Sequence, residues 1–202
     1  MAWSAKGILA SPFVFDVFQS LVGAPGCHRE FLTAYVRPRS GEHLLDIGCG
    51  VGATLLRLPP DVFYTGLDIS AAYIKTARAR FGERATFICA DVSSVNLEQG
   101  RFDCAIAFGV LHHLDDPTAH SLLRLARSAL APGRRLFTID PCYTPDQSRF
   151  IRFLISRDRG RFVRDVVGYQ RLFNAYGVSE AKVVDNLLHF PYTHLVAAVE
   201  FS

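Results

Sequence analysis

The stretch LLDIGCGVG at residues 44–52 decides the fold. Its first four residues are apolar apart from Asp46 and predict a buried strand. Three glycines at alternate positions follow at once, and a helical pattern begins after Gly52. Glycine lets a ligand approach the backbone closely, and the start of a helix presents unpaired N–H groups to an anionic part of it. The stretch therefore predicts a strand, a ligand-binding turn and a helix.

Two further acids follow the next two predicted strands. Asp68 comes after the strand at 62–67, and Asp91 after the strand at 85–89. The carboxyl ends of consecutive parallel strands meet at one edge of a sheet, so Asp46, Asp68 and Asp91 are predicted to face one crevice. Asp68 is expected beside the glycine turn, at hydrogen-bonding distance from the paired hydroxyls of a ribose. Each acid alone would pass as a helix cap, but the set of three is poorly explained in that way.

Strands and helices alternate along the chain, which predicts an α/β fold with a Rossmann-like, doubly wound sheet. We expect seven strands, mostly parallel, with helices on both faces. The last two strands have no helix between them and predict an antiparallel hairpin at one edge. The predicted strands are 43–47, 62–67, 85–89, 102–108, 135–140, 182–188 and 194–201; the predicted helices are 11–22, 26–36, one from Gly52, 71–81, 118–130 and a group within 146–176.

Length and composition limit the classes of function. A chain of 202 residues, half of them hydrophobic, fits one domain: N-terminal lid helices at 1–40, a cofactor-binding core at 41–140, a substrate cap at 141–177 and C-terminal strands at 178–202. No apolar run approaches the roughly 20 residues that cross a bilayer. Five cysteines without a C-x-x-C pair predict reduced thiols and a cytoplasmic location, and the first 26 residues do not read as a signal peptide.

With these motifs in order, the chain resembles the class I S-adenosylmethionine-dependent methyltransferases, in particular their small, metal-independent, type 11-like group. The resemblance covers roughly residues 44–140 and includes FDCAIAF at 102–108 and LAPGRRLF at 130–137. It implies S-adenosyl-L-methionine as cofactor and S-adenosyl-L-homocysteine as product. The cofactor contacts that it implies are Asp46, Gly48, Cys49 and Gly50 at the methionine end, Asp68 at the ribose, Ile69, Asp91 and Val92 at the adenine, and Phe108.

Candidate catalytic residues follow the fourth predicted strand, in the stretch FGVLHHLDDP at 108–117. Methyl transfer is an in-line displacement that needs positioning and, at an oxygen or nitrogen, a base that removes a proton. His112 or His113 is the candidate base, because histidine exchanges a proton near neutral pH. The alternative is that both are structural, one packed under the cofactor loop and the other solvated.

We expect no metal and no covalent catalysis. Gly109 and His112 occupy the positions at which related quinone-pathway methyltransferases carry acidic metal ligands, and the acids before Pro117 predict a helix cap. Cys142 follows the fifth strand, near the nucleophile of RNA cytosine-C5 methyltransferases, but the second Pro-Cys of that class is missing. Asp140 and Tyr143 remain candidate pocket residues.

The acceptor is expected under two segments, the N-terminal helices with Phe13, Phe15 and Phe18 and the cap. Over residues 134–171 nine arginines face four aspartates, a local net charge of +5. Arginines interleaved with phenylalanines suit a phosphate or carboxylate on an apolar body, although a solvated helix face explains the same charges. The predicted acceptor contacts are Tyr143, Arg157, Arg161 and Arg164.

The sequence thus predicts methyl transfer to an oxygen or nitrogen of a small-molecule acceptor, such as a metabolite, a sugar or a natural-product intermediate, with an anionic or carrier-linked acceptor as one form of it. RNA methylation is one alternative, disfavoured by a net charge of only +3 and by the missing accessory domain. A non-catalytic cofactor-binding partner of another protein is the other. The sequence does not indicate the oligomeric state.

Overall fold

One mixed sheet organises the chain in the computed structural model, which describes residues 24–157, 160–185, 187 and 192–202. The strands run in the spatial order β3-β2-β1-β4-β5-β8-β7, and the two-residue strand β6 pairs with the end of β5. Their bounds are β1 His43–Ile47, β2 Phe63–Asp68, β3 Thr86–Cys89, β4 Phe102–Phe108, β5 Leu130–Tyr143, β6 Arg164–Asp165, β7 Gly177–Asp185 and β8 Thr193–Phe201.

The strand order reverses between β1 and β4. Strand β1 pairs in parallel with β2 on one side and with β4 on the other, so that Leu45 lies opposite Thr65 of β2 and Ala105 of β4. In such a sheet the crossovers diverge at the reversal and leave a crevice beyond the carboxyl ends of the strands. The glycine turn after β1 and the histidine turn after β4 both lie at this edge. Strand β8 runs antiparallel to β5 and β7, so the predicted edge hairpin and the predicted fold class are confirmed.

Five helices accompany the described strands. They are α1 Ala24–Glu30, continued by a π-helical turn over Phe31–Val36, α2 Ala71–Phe81, α3 Asp116–Ala129, α4 Arg149–Ser156 and α5 Val166–Asn174. The predicted cap of α3 is confirmed, because the Asp115 carboxylate accepts a hydrogen bond from the backbone nitrogen of Thr118 at 3.0 Å. None of the helices among these residues is long and apolar enough to span a membrane.

The core lies on both faces of the sheet. Leu45 packs in the cluster that contains the buried residues of α3 and α5, whereas its neighbour Leu44 packs on the opposite face with Phe31 and Ile74. Successive side chains of a strand point to opposite faces. The doubly covered sheet therefore explains why β1 is apolar at consecutive positions rather than at alternate ones.

Some element boundaries differ from the prediction. The helix expected after Gly52 is a short 3₁₀ helix over Ala53–Arg57. It ends there because Pro59 and Pro60 follow, and proline cannot continue a helix. Strand β5 extends beyond 135–140 at both ends, β7 begins earlier than predicted, and the sequence does not predict β6. The predicted helix at 11–22 lies outside the described residues.

Candidate active site

The glycine turn after β1 is fastened to the neighbouring strand. The backbone nitrogens of Gly48 and Cys49 both donate to the carbonyl oxygen of Leu67, at 2.7 and 3.0 Å. Gly50 has a φ of +55°, and a Cβ at this position would meet no atom within 4 Å. Its backbone therefore borders open space, which a ligand can approach without meeting a side chain.

Asp68 connects the glycine turn to the end of β2. Its Oδ2 accepts a hydrogen bond from the backbone nitrogen of Gly50 at 2.9 Å, and its Oδ1 accepts one from Ser70 at 2.8 Å. An ionised carboxylate has about four acceptor positions, so two bonds leave capacity for a ligand hydroxyl. The next side chain, Ile69, is 69% exposed. An acceptor group and an uncovered apolar surface thus stand side by side at this strand end.

Asp91 and Val92 lie beside this pair, since the backbone nitrogen of Ala90 donates to the carbonyl oxygen of Asp68 at 3.1 Å. Asp91 Oδ1 accepts hydrogen bonds from the backbone nitrogen and the hydroxyl of Ser93, at 2.8 and 2.7 Å. These bonds lower the pKa of Asp91 from its ordinary value, so the side chain stays ionised at neutral pH.

Asp46 is predicted to face the crevice, but its side chain is buried in the interior. Its side chain is 1% exposed, and its Oδ2 accepts a hydrogen bond from the hydroxyl of Tyr64 at 2.7 Å. Burial raises the pKa of Asp46 to about 6, although the bonds from Tyr64 and Thr54 oppose this shift. The carboxylate is therefore a buried charge next to the glycine turn.

Two other predicted cofactor contacts also face protein. The Cys49 thiol lies against Gly66, where an added Cβ would approach its Sγ to 2.7 Å, and it also contacts the carbonyl oxygen of Gly50 at 3.7 Å. The Phe108 ring stacks on His28 with centroids 3.6 Å apart and meets Phe31 edge-on. The residue after β4 that contacts the glycine turn is Val110, whose side chain would collide with a Cβ on Gly48.

The two candidate bases have different surroundings. His112 is 5% exposed, and its Nδ1 lies 2.8 Å from Oδ1 of Asp140 at the end of β5, whereas His113 is exposed. Burial raises the pKa of Asp140, and the contact with His112 opposes this rise. An ionised Asp140 can only accept, so His112 then carries its proton on Nδ1 and its lone pair on Nε2.

The cap residues fall into two groups. Arg157 and Arg161 are exposed, and the Arg157 guanidinium lies 5.1 Å from the ring centroid of Phe153. Arg152 lies in the same way 5.0 Å over Tyr143. Three phenylalanines of the same segment, Phe150, Phe153 and Phe162, are 60%, 52% and 41% exposed.

Arg164 is different, and its assignment to the acceptor is corrected. All five of its N–H donors are directed at protein oxygens: the carbonyls of Leu111, Leu114 and Phe162, and twice Oδ1 of Asp116. A guanidinium with five donors in use has none left for a ligand.

Cys142 is fully buried, and burial raises the pKa of its thiol to about 12. Only a thiolate is a competent nucleophile. The expectation that Cys142 takes no covalent part in catalysis agrees with this environment. Among the described residues, no group of three histidine, cysteine or acidic side chains is placed to hold a metal ion.

Comparison with known proteins supplies the family. Residues 44–133 match a family model described as a methyltransferase domain. The match spans the strand order β2-β1-β4, the glycine turn and Asp68. Residues 44–133 are a class I S-adenosylmethionine-dependent methyltransferase domain. The predicted family is thereby confirmed.

The methyltransferase domain also has similar curated relatives. An O-methyltransferase of Pyrenophora dematioidea is 35% identical over 112 residues, which are 52% of this chain and 41% of that protein. The 27-O-demethylrifamycin SV methyltransferase of Amycolatopsis mediterranei is 35% identical over 105 residues, 48% of this chain and 38% of that protein. The chain thus spans less than half of these two relatives.

Solved structures extend the likeness in fold beyond the methyltransferase domain. The geranyl diphosphate C-methyltransferase of Streptomyces coelicolor, solved with Mg²⁺, geranyl diphosphate and S-adenosyl-L-homocysteine, has a TM-score of 0.67 at 17% identity. The match covers 87% of this chain and 79% of that one. At this identity the likeness concerns the fold.

Sequence reasoning missed Tyr64 and Gly160. The hydroxyl of Tyr64 holds the buried Asp46, and Gly160 packs so closely on His112 that an added Cβ would collide with the imidazole ring. A tyrosine at the position of β2 that follows Phe63 carries no distinctive signal, but a lone glycine between arginines does hint at a close approach.

Proposed function

We propose that the chain is an S-adenosylmethionine-dependent methyltransferase that methylates an oxygen of a small-molecule acceptor. The observation that carries this proposal is the bond from the Gly50 backbone nitrogen to Asp68, beside the exposed Ile69. A ribose requires a hydroxyl acceptor and an adenine requires an apolar platform, and both are present at the end of one strand.

The cofactor supplies an electrophilic methyl group on a sulfonium and leaves as S-adenosyl-L-homocysteine. In this proposal Asp68 binds the ribose hydroxyls, Ile69 packs on the adenine, and Asp91 with the backbone of Val92 recognises the adenine amino group. The backbones of Gly48, Cys49 and Gly50 contact the methionine end. Asp46 acts through its buried charge next to the turn rather than by contact.

His112 is proposed as the base. A hydroxyl must lose its proton as it attacks, whereas a neutral amine attacks through a free lone pair. A buried imidazole whose Nδ1 faces a carboxylate suits the removal of such a proton, because the carboxylate stabilises the imidazolium that forms. The O-methyltransferase relatives favour an oxygen acceptor as well.

The acceptor is proposed to lie under the cap at 141–177 and to carry an apolar body with an anionic group. Exposed Phe153 and Phe162 offer apolar surface. Arg157, which lies over Phe153, and the exposed Arg161, which precedes Phe162 in the chain, offer charge. Phe162 also approaches the candidate base, since its backbone nitrogen donates to the carbonyl oxygen of His112 at 2.9 Å. Five free thiols fit action in the cytoplasm on a soluble metabolite.

The test is to incubate the purified chain with cofactor labelled on its methyl group and with a metabolite extract, total RNA or buffer alone. We expect label in small molecules, with a loss of about 100-fold or more in His112→Asn and less than about twofold in the exposed neighbour His113→Asn. Label in RNA alone would replace the proposed acceptor class. Binding of S-adenosyl-L-homocysteine without transfer to either pool would make the chain a binding partner instead.

A further inference from the structure

We propose that Arg164 is a positioning residue for the reaction, which holds the turn that carries His112 so that the imidazole meets Asp140. This inference rests on the proposed role of His112. Arg164 lies on β6, far along the chain from the histidine turn, and its side chain is 11% exposed. It approaches no part of the glycine turn in any of its hydrogen bonds.

The bonds of Arg164 enclose the histidines. Nη1 donates to the carbonyl oxygen of Leu111 at 2.9 Å, and Nη2 donates to that of Leu114 at 2.8 Å. These two residues flank His112 and His113 directly, so one planar group fixes both ends of the turn. Lysine cannot reproduce this arrangement, because its three donors radiate from a single nitrogen.

The backbone of Arg164 is held against β5, the strand that carries Asp140. Strand β6 pairs with β5, with Arg164 opposite Cys142, two residues after Asp140. The same chain segment covers the histidine itself: Gly160 lies against the imidazole, and the backbone nitrogen of Phe162 donates to the His112 carbonyl. The position of β6 therefore constrains both the imidazole of His112 and the carboxylate of Asp140.

Arg164 makes two kinds of contact, hydrogen bonds to backbone carbonyls and an ion pair with Asp116, and a variant of Asp116 distinguishes between them. Asp116 pairs with Arg164 Nη2 at 2.7 Å, but its own side chain is 75% exposed. Exposed ion pairs contribute little. The bonds to Leu111 and Leu114 are predicted to hold the turn even when the Asp116 charge is removed.

The experiment follows the Nδ1 proton of His112 by nuclear magnetic resonance in the purified full chain, with His112→Asn to assign the signal. We expect Arg164→Gln and Arg164→Lys to lose the signal or to raise its exchange rate with water by about tenfold or more. Asp116→Asn and the cap variant Arg171→Gln should keep it. Unchanged affinity for S-adenosyl-L-homocysteine, measured by calorimetry, shows that each variant is folded.

Persistence of the wild-type signal in both Arg164 variants would overturn the inference, and so would its equal loss in Asp116→Asn. If Arg164→Gln does not fold, Arg164→Lys carries the test, because it keeps the charge and changes the number and geometry of the donors. The signal does not depend on catalysis. A failure of the proposed base would appear instead as full methyl transfer by His112→Asn.

Discussion

One oxygen of Asp140 contacts His112 twice. Oδ1 lies 2.8 Å from the ring Nδ1 and 3.1 Å from the backbone nitrogen of the same residue. The other oxygen, Oδ2, is buried and has no hydrogen-bond partner among the residues that the structure describes. Asp140 thus fixes both the position and the ring orientation of His112 through a single atom.

Asp140→Asn should impair catalysis without weakening the fold. The amide oxygen can still accept both bonds, but the negative charge that stabilises a protonated imidazole is gone. We expect kcat to fall by about 10- to 100-fold, as for other groups that orient a histidine. The thermal midpoint should not fall, because a buried charge is removed at the same time. A drop in the midpoint with unchanged kcat would show that the pair is only structural.

Asp68→Asn should weaken cofactor binding. The variant loses charge-assisted bonds to Gly50 and to the proposed ribose, and a bond to a charged group contributes about 1.5–3 kcal/mol. Calorimetry with S-adenosyl-L-homocysteine should show a Kd about 10- to 100-fold higher. Asp61→Asn, a substitution outside the proposed site, is the control and should leave Kd unchanged. Wild-type affinity in Asp68→Asn would remove the central support for the proposed cofactor site.

Asp46→Asn should stabilise the ligand-free protein above about pH 6. Burial raises the pKa of Asp46 to about 6, so the folded protein binds the proton more tightly than the unfolded chain does. Wild-type stability therefore falls as the pH rises from about 4 to 6 and stays lower above that range. We expect a gain of about 1–3 kcal/mol at pH 8 that vanishes near pH 4, measured by urea unfolding. A variant less stable than wild type at pH 8 would contradict this.

Removal of two cap charges should affect the acceptor rather than the cofactor. In the double variant Arg157→Gln/Arg161→Gln we expect the KM of an anionic acceptor to rise about tenfold, because charge-assisted bonds are lost. The affinity for S-adenosyl-L-homocysteine should not change. Lys75→Gln/Arg127→Gln removes the same charge from α2 and α3 and controls for the overall field. An equal rise of KM in both double variants would rule out a local site.

The features predicted best from the sequence depend on neighbouring positions in the chain. The bounds of β1, β4 and α2 and the cap at Asp115 follow from periodicity and turn chemistry. Asp68 was placed beside the glycine turn because parallel strands bring their carboxyl ends together, and its bond to Gly50 agrees with that placement.

The features predicted worst depend on where a side chain points after folding. The sequence predicts Asp46 in the crevice, but the hydroxyl of Tyr64 donates to its carboxylate and holds it in the interior. Local charge groups Arg164 with the other cap arginines, although its partner is the Asp116 carboxylate, 48 positions away in the chain. Charge and spacing are the same for a solvated arginine and for one with all donors in use, so the sequence alone does not separate them.

The bonds of Arg164 also matter for anyone who wishes to redesign the protein. A transplanted cap from a relative is a natural route to a new acceptor. A transplant that replaced residues through β6 would remove Arg164 and deprive the Leu111 and Leu114 carbonyls of their donors. Such a chimera would keep every proposed cofactor contact but lose the bonds that hold the histidine turn. A junction placed before Gly160 would keep host residues 160–165 and leave the rest of the cap open to exchange.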